Sequence, residues 1–342
     1  MDVVPLTRDL VRIPSVSGNE AACAALLRDR LRAHGATISG RNLFAVRGTG
    51  TRTLLLNSHT DTVPSSPDWT TDPHAAALED GKVRGLGAND AKGPLAALVC
   101  AFVTARLPRG ARLVLAATCD EETGGQGLGV LRPELPALDA AIIGEPTRLE
   151  VCTCQRGLLR LRLRAKGRRA HASRPWQGEN AIEKAARDIA RIVALELPRH
   201  PLLGPATVQV TVIQGGVRTN VVPPECTMEV DARTIPALDN RTLHGLLERT
   251  LESAIELMSD RFHPVETARE EAIVQAALAA AGGGEPTAFG GVSDLFHVRD
   301  IPGVVLGPGR SEQSHAADEW IEVEQLLRGV ETYRGAIERY FG

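Results

Sequence analysis

The feature that most constrains this chain is a series of short apolar runs, each ending in a polar cluster. The polar ends lie at residues 57–61, 119–122 and 144–146, and a fourth run leads through a glycine-proline turn to His315. Between the first two runs, residues 93–107 predict a long apolar helix directly after Asp90. Strands alternating with helices are typical of an α/β fold with a mostly parallel sheet and helices on both faces. In such sheets ligands bind beyond the carboxyl ends of the strands, where these polar residues stand.

The pattern changes in the middle of the chain. Residues 158–164 alternate strictly between leucine and arginine, and residues 207–213 and 227–233 also alternate, as half-exposed antiparallel strands do. Helices are predicted at 180–194 and 240–257. We therefore predict an α+β domain of residues 156–264, inserted into a catalytic domain formed by residues 1–155 and 265–342.

The first 35 residues predict two helices. The second opens on Ser17-Gly-Asn-Glu20, the pattern of a capping box, in which the two outer side chains bind the first amides of a helix. On this interpretation Ser17 and Glu20 have a local, structural role.

Composition excludes several classes of partner. The chain has 342 residues, more than one hydrophobic core usually serves. A net charge of −3 and 3% aromatic residues argue against nucleic acid or an anionic membrane as a partner. The first residues lack the pattern of a signal peptide, and no apolar stretch is long enough to span a membrane. The six cysteines are scattered, which fits a reducing cytoplasm.

Acids and histidines gather at the predicted strand ends. A group of carboxylates without cations would repel one another and would be costly to bury, whereas divalent metals remove that objection. Taken singly, each residue has an ordinary explanation as a helix cap or a surface charge. Because the acids fall at separate strand ends, each flanked by glycine, the whole set favours a metal site: His59, Asp61, Asp90, Glu121, Glu122, Glu145 and His315.

Four motifs then resemble a known family in sequence and in order. They are His59-Thr-Asp61-Thr-Val-Pro64, Gly85-Leu-Gly-Ala-Asn-Asp90-Ala-Lys-Gly93, Asp120-Glu-Glu-Thr123 and Gly144-Glu-Pro-Thr147. With His315, they resemble the dinuclear zinc aminoacylase and carboxypeptidase family, which includes acetylornithine deacetylase, succinyl-diaminopimelate desuccinylase and carboxypeptidase G. The resemblance runs essentially end to end. It implies a zinc-peptidase-like catalytic domain and a lid or dimerisation domain at 156–264.

The resemblance also implies a set of roles. Two divalent ions, zinc or else cobalt, would share Asp90 as a bridge. His59 and Glu145 would complete one ion, and Glu122 and His315 the other. Asp61 would orient His59, and Glu121 would act as general base and acid while metal-bound water attacks the amide. A non-proline cis peptide is expected after Asp90.

In the middle domain the resemblance implies a homodimer. His171, in Gly167-Arg-Arg-Ala-His171, would reach the neighbouring subunit's site and stabilise the oxyanion. Arg233 would bind a substrate carboxylate; taken alone it would be read as an exposed charge at a strand end, but the matching motifs around it favour the binding role. Asn220, Gly291 and Ser293 would face the substrate.

The substrate implied is a small N-acyl amino acid. Residues 201–205, 221–226 and 306–320 look most like the arginine-biosynthesis deacylases, which act on N2-acetyl-L-ornithine or N-acetyl-L-citrulline. The desuccinylase and the hydrolases that free lysine or ornithine from a carrier protein remain alternatives. A non-catalytic relative would be expected to lack Glu121 or a metal ligand, yet all are present. A nucleotide enzyme is disfavoured, because Gly85-Leu-Gly87 lacks the third glycine of the dinucleotide motif.

Overall fold

The computed structural model of the chain describes residues 1–124 and 126–342. The described residues form two compact units. Unit 1 contains residues 1–154, 267–289 and 293–342, and unit 2 contains residues 155–266 and 290–292.

The helices and strands follow one another in three stretches of the chain. The first stretch contains α1 Val3–Val11, α2 Ala21–Arg30, β1 Thr37–Ser39, β2 Asn42–Arg47, β3 Arg52–His59, β4 Ala77–Glu79, β5 Lys82–Arg84, α3 Gly93–Thr104, β6 Ala111–Thr118, α4 Glu121–Gly124, α5 Gly127–Leu131, β7 Ala140–Ile143 and β8 Cys152–Gln155. The second contains β9 Gly157–Lys166, β10 Ala170–His171, α6 Ala181–Val193, β11 Arg199–His200, β12 Gly204–Pro205, β13 Thr207–Gly215, β14 Val221–Val222, β15 Glu225–Thr234, α7 Asn240–Thr250, β16 Ala254–Phe262 and β17 Val265–Glu266. The third contains α8 Ala272–Ala280, β18 Thr287–Phe289, β19 Gly303–Val305, β20 Trp320–Glu322 and α9 Val323–Phe341.

Unit 1 is built on a sheet in the order β1-β2-β6-β3-β7-β19-β8, with β18 also paired to β8. The central strands β6, β3, β7 and β19 are parallel, while β1, β2 and β8 join antiparallel. Strands β3, β6 and β7 are almost entirely buried, as expected of parallel strands covered on both faces. The predicted α/β fold with a mostly parallel sheet is confirmed.

The core of unit 1 centres on α3, whose residues Gly93–Phe102 are all buried. This helix packs on β3 and β6 and on the helices α1 and α9. It lies at the predicted position, although it ends at Thr104 because Ala105 takes an extended conformation. Since α3 follows Asp90 directly, its burial fixes where that carboxylate stands.

Unit 2 contains an antiparallel sheet in the order β13-β15-β9-β16. On β9, the leucines at 159, 161 and 163 are buried, and α6 and α7 pack on this strand. The alternating arginines stay partly exposed and form ion pairs with acids of the neighbouring strands, such as Arg162 with Glu229 and Arg164 with Glu256. The predicted strand at 158–164 therefore has the expected two-sided character.

Two local predictions were wrong. The helix predicted at 240–257 ends at Thr250, and the chain turns back as β16, where Ile255 pairs with Leu163 and Leu257 with Leu161. Tertiary pairing with β9 thus prevails over a helical apolar pattern. The capping box also fails. Helix α2 begins at Ala21 with Glu20 at its N-cap, and no side chain caps it.

None of the helices in the described residues is long and apolar enough to cross a membrane. All six cysteines are buried, and no disulfide joins any of them within the described chain. The cytoplasmic location stays a prediction.

In unit 2, one buried carboxylate joins α6 to the two residues directly before β16. Asp188 is 0% exposed and accepts hydrogen bonds from the N–H groups of Glu252 at 2.9 Å and Ser253 at 2.8 Å. It also accepts one from Arg191 at 2.9 Å. Burial alone would raise the pKa of Asp188, but these donors outweigh it and lower the pKa below its usual value.

We predict that Asp188→Asn lowers the free energy of unfolding at neutral pH by about 1–3 kcal/mol, since one of the N–H donors then loses its acceptor. A carboxylate whose pKa is lowered by folding stabilises the protein above the unfolded-state pKa of about 3.9 and loses that contribution as pH falls through the folded pKa. The difference in free energy of unfolding between variant and wild type should therefore shrink in acid.

Urea unfolding followed by circular dichroism at several pH values measures this difference. Asp260→Asn, at an exposed position of β16, is the matched control. Equal losses in the two variants would contradict the prediction.

Candidate metal centre

The carboxyl ends of three parallel strands meet at one edge of the sheet in unit 1. His59 ends β3 and is in register with Thr118, the last residue of β6, while Asn57 is in register with Ile143 at the end of β7. The polar residues that follow these strands therefore gather at the same edge. The sequence prediction of a site at the strand ends rests on this geometry.

Asp90 lies between the two candidate histidines. Its Oδ1 atom is 3.2 Å from Nε2 of His59, and its Oδ2 atom is 3.8 Å from Nε2 of His315. The Asp90–Ala91 peptide bond is cis, as predicted. One carboxylate thus faces a different histidine with each of its oxygen atoms.

Each histidine has a second carboxylate beside it. Nε2 of His59 is 3.9 Å from Oε2 of Glu145, and both side chains are buried. Nε2 of His315 is 2.9 Å from Oε2 of Glu122, on the half-exposed side of the cluster. Ligand atoms of His59, Asp90 and Glu122 all lie within 4.8 Å of one another. The structure therefore brings together all five residues for which a ligand role is predicted.

Asp61 is fully buried and contacts His59 on the far side of its ring. The Nδ1 atom of His59 is 3.1 Å from the carbonyl oxygen of Asp61 and 3.4 Å from its Oδ1 atom. Burial would raise the pKa of Asp61, but His59 and the hydroxyl of Ser17 lower it to about 2. The carboxylate also accepts the N–H groups of Glu121 at 3.2 Å and Glu122 at 3.1 Å. It is therefore placed both to orient His59 and to hold the loop that carries the two glutamates.

The pKa shifts of the clustered side chains bear on whether the cluster suits divalent cations. Burial, together with neighbouring carboxylates, raises the pKa of Glu121 and of Glu145 well above the usual range. The hydrogen bond to Glu122 raises the pKa of His315 to about 9. Burial would lower the pKa of His59, but Asp61, Asp90 and Glu145 raise it well above 6.5. These shifts arise because several carboxylates share a buried site with little compensating positive charge, and divalent cations bound there would supply that charge in place of protons.

Three further residues at this edge were missed by the sequence analysis. Glu319 is 1% exposed and accepts the N–H groups of Gly87, Asn89 and Asp90 at 2.7–2.9 Å, so that it holds the turn that carries Asp90. Ser17 donates to Asp61 at 2.7 Å. Asp294 is a buried acid that accepts from Thr118 at 3.0 Å, and burial raises its pKa to about 6. The only sequence signal was for Glu319, which stands four residues after His315 in the same motif.

The remaining predicted residues lie mainly in unit 2. His171, on β10, bonds through Nδ1 to the hydroxyl of Ser173 at 2.8 Å, and the carbonyl of Asn220 accepts the N–H of Ala172 at 3.0 Å. Arg233 is the last residue but one of β15, and its Nε atom lies 2.7 Å from the carboxylate of Asp231. Gly291 belongs to unit 2, whereas Ser293 belongs to unit 1, where its hydroxyl accepts the N–H of Leu295. Their roles toward a substrate stay predictions.

Comparison with known proteins agrees with the fold and with the chemistry of the cluster. A family model described as Peptidase family M20/M25/M40 matches residues 55–339. The chain is 32% identical to a succinyl-diaminopimelate desuccinylase of Xanthomonas campestris, over 99% of this chain and 98% of that protein. It is 31% identical to an acetylornithine deacetylase of Erwinia tasmaniensis, over 93% of this chain and 92% of the relative.

A solved structure has the same fold. Aminopeptidase PepT from Bacillus cereus superposes with a TM-score of 0.82 at 22% identity, covering 99% of this chain and 98% of that one. The family model spans most of the chain, and both curated relatives exceed 30% identity over nearly all of it. The chain therefore belongs to Peptidase family M20/M25/M40 and is a metallohydrolase of that family.

Proposed function

We propose that the protein removes the N-acyl group from a small N-acyl amino acid, with two divalent cations held at the cluster in unit 1. The observation that carries this proposal is the position of Asp90, whose two oxygens face His59 and His315 separately. A single carboxylate flanked in this way is suited to be shared by two ions. The distances support the arrangement, and the identity of the ions is part of the proposal.

The proposed ligands divide into two groups around Asp90. His59 and Glu145 would complete one ion, and Glu122 and His315 would complete the other. One histidine with carboxylates at each ion is a set of donors that zinc accepts, and cobalt accepts it too. Asp61 is the orienting residue, because its contacts to Nδ1 leave the Nε2 atom of His59 to face Asp90.

Glu121 is the proposed general base and acid. When bound, the cations supply a Lewis acid for the amide carbonyl and lower the pKa of the attacking water. Glu121 then takes the proton from that water and passes it to the leaving amine. Since Asp61 binds the backbone N–H of Glu121, the position of the base is set by the same residue that orients His59.

Residues outside the metal cluster are proposed to bind the substrate. His171 would stabilise the oxyanion, and the planar guanidinium of Arg233 would bind the α-carboxylate of the amino acid. Asn220, Gly291 and Ser293 would complete the substrate contacts. The match of the surrounding motifs supports these roles. His171 lies on β10, and Asn220 directly precedes β14, the strand that pairs with β10.

For the substrate we propose N2-acetyl-L-ornithine or N-acetyl-L-citrulline, which would place the enzyme in arginine biosynthesis. The acetylornithine deacetylase relative and the motifs at 201–205, 221–226 and 306–320 support this choice. The second candidate is N-succinyl-diaminopimelate, and it is favoured by the desuccinylase relative at 32% identity. Both reactions break the same kind of amide bond.

A panel assay separates the candidates. We expect purified protein loaded with zinc or cobalt to release amine from N2-acetyl-ornithine or N-acetyl-citrulline with a higher kcat/KM than from N-succinyl-diaminopimelate, measured by chromatography of the product amino acid. Exhaustive chelation should abolish the activity, and added metal should restore it. Full activity after chelation would contradict the metal mechanism. Turnover of the succinyl substrate alone would select the second candidate.

We predict that Glu121→Gln keeps its bound metal and loses turnover by about 10²–10⁴-fold, because the amide cannot accept the proton of the attacking water. Metal content by mass spectrometry and kcat on the best substrate of the panel are the two measurements. Glu79→Gln, at an exposed position of β4, makes the same chemical change away from the cluster and serves as the control. Wild-type turnover in Glu121→Gln would show that another group is the base.

We further propose a homodimer formed through unit 2. Among the described residues, β13 is an edge strand of its sheet, and Val212 and Ile213 on it are 42% and 51% exposed. Helix α6 packs beside this strand, and its Ile182 is 39% exposed next to Gly215 and Gly216. An edge strand with apolar neighbours is suited to pair with a second copy about a two-fold axis.

We predict that wild-type protein sediments as a dimer and that Ile213→Glu sediments as a monomer, since a buried charge opposes association. Analytical ultracentrifugation at several concentrations gives the result. Leu257→Glu, on the opposite edge strand β16 and 46% exposed, is the matched control and should remain a dimer. A monomeric wild type, or dissociation by Leu257→Glu alone, would refute this interface.

A further inference from the structure

The loop that carries Glu121 and Glu122 is held by side chains from distant segments. Four consecutive backbone N–H groups after β6 donate to side-chain acceptors. Cys119 donates to Oδ1 of Asn42 at 2.9 Å, Asp120 to Oε1 of Glu20 at 3.2 Å, and Glu121 and Glu122 to the two carboxylate oxygens of Asp61 at 3.2 and 3.1 Å. The conformation of this loop is therefore imposed from outside it.

Asp120 has an unusual backbone conformation. Its φ angle is +58°, in the left-handed region that residues with a side chain seldom adopt. This conformation turns the chain sharply between the end of β6 and Glu121. A residue that must stay in this region needs contacts that hold it there.

Arg41 supplies those contacts. Its Nη1 and Nη2 atoms donate to the two carboxylate oxygens of Asp120 at 3.0 and 2.5 Å. Nη1 also donates to Oε2 of Glu20 at 2.5 Å. The paired hydrogen bonds fix both the position and the plane of the Asp120 carboxylate, which a point charge does not do.

Glu20 links Arg41 to the backbone of the loop. Its carboxylate is 0% exposed, and its Oε1 atom accepts the N–H groups of Gly18 and Asp120. The guanidinium occupies the space between Glu20 and Asp120, so this group of acids is compensated by an arginine and is not a second metal site. Without Arg41 two carboxylates would face each other directly.

The segment predicted to be a capping box forms hydrogen bonds that hold the acidic loop. Glu20 binds the N–H of Asp120, and Ser17 donates to Asp61, which in turn binds the N–H groups of Glu121 and Glu122. Both outer residues of the motif thus act on the acidic loop rather than on helix α2.

We propose that Arg41, supported by Glu20, is a positioning residue that fixes the backbone at Asp120 and thereby directs Glu121 and Glu122 into the metal centre. This inference rests on the proposed roles of Glu121 as base and Glu122 as ligand. Arg41 itself bonds to Asp120 and Glu20, and it acts on the reaction only through the loop.

The test compares Arg41→Met with Arg41→Lys. Removal of the guanidinium should weaken the binding of one Co²⁺ ion by about tenfold, because Glu122 loses its fixed position, as is usual when a group that orients a metal ligand is lost. It should lower kcat with KM little changed, because a displaced Glu121 affects only the transition state. Lysine keeps the positive charge but lacks the planar pair of N–H donors, so Arg41→Lys should lose less Co²⁺ affinity and less kcat than Arg41→Met. Titration of metal-free protein with Co²⁺, followed by visible absorption, and steady-state kinetics on the best substrate measure the two effects.

Two controls make the result specific. Arg32→Met alters an arginine whose side chain is 84% exposed and should leave both readouts at wild-type values. Arg41→Ala opens a site that solvent can reach, since the Arg41 side chain is 35% exposed. Millimolar ethylguanidinium should therefore restore Co²⁺ affinity and kcat to this variant, whereas sodium chloride at equal ionic strength should not.

Three outcomes decide the matter. Wild-type Co²⁺ affinity and kcat in Arg41→Met would overturn the inference. A fall in thermal stability alone, with kcat and Co²⁺ affinity of the folded protein unchanged, would also overturn it, since Arg41 would then be only structural. If the wild type hydrolyses no N-acyl amino acid but Arg41→Met still loses Co²⁺ affinity, the proposed function fails while the positioning of Glu122 by Arg41 is supported.

Discussion

Negative charge concentrated at one edge of a buried sheet is the constraint on which unit 1 depends. Parallel strands bring their carboxyl ends together, and the residues that follow them here are mostly acids. The chain compensates these acids in three ways: histidines contact Asp90, an arginine contacts Asp120, and backbone N–H groups contact Asp61 and Glu319. Around Asp90, Glu122 and Glu145 the two histidines offset only part of the negative charge, and this favours the proposed binding of cations there.

Much of this arrangement could be predicted from the sequence, because the signals are local. An apolar run followed by a histidine or acid indicates both a strand and the place of its end, and the predicted ligands His59, Glu122, Glu145 and His315 indeed lie around Asp90. The alternation of leucine and arginine at 158–164 likewise specifies a strand with one covered face. In each case a short stretch of chain contains the whole signal.

The errors occurred where a distant partner decides the structure. Residues 254–257 carry a helical apolar pattern, yet they form a strand because β9 offers an edge to pair with. Glu20 fits a capping box, yet its Oε1 atom accepts the N–H of Asp120, which is 100 residues further along the chain, and its Oε2 atom accepts from Arg41. Asn42 gave no signal of its role, and Glu319 gave only its place in the motif of His315, since each binds backbone N–H groups that any sequence would provide. Side-chain acceptors for a distant main chain leave no pattern in a single sequence.

The order of these partners along the chain has a consequence for synthesis. The acceptors for the acidic loop, at residues 20, 42 and 61, all precede it, so a nascent chain can hold the loop as soon as it leaves the ribosome. The acceptor for the turn that carries Asp90 is residue 319, and the histidine beside Glu122 is residue 315. The acidic loop can therefore be held early, but the turn that carries Asp90 and the second histidine take their places only after residues 315–319 have emerged. A nascent chain stalled before that point would bear the acidic loop without the carboxylate that is proposed to join the two halves of the centre.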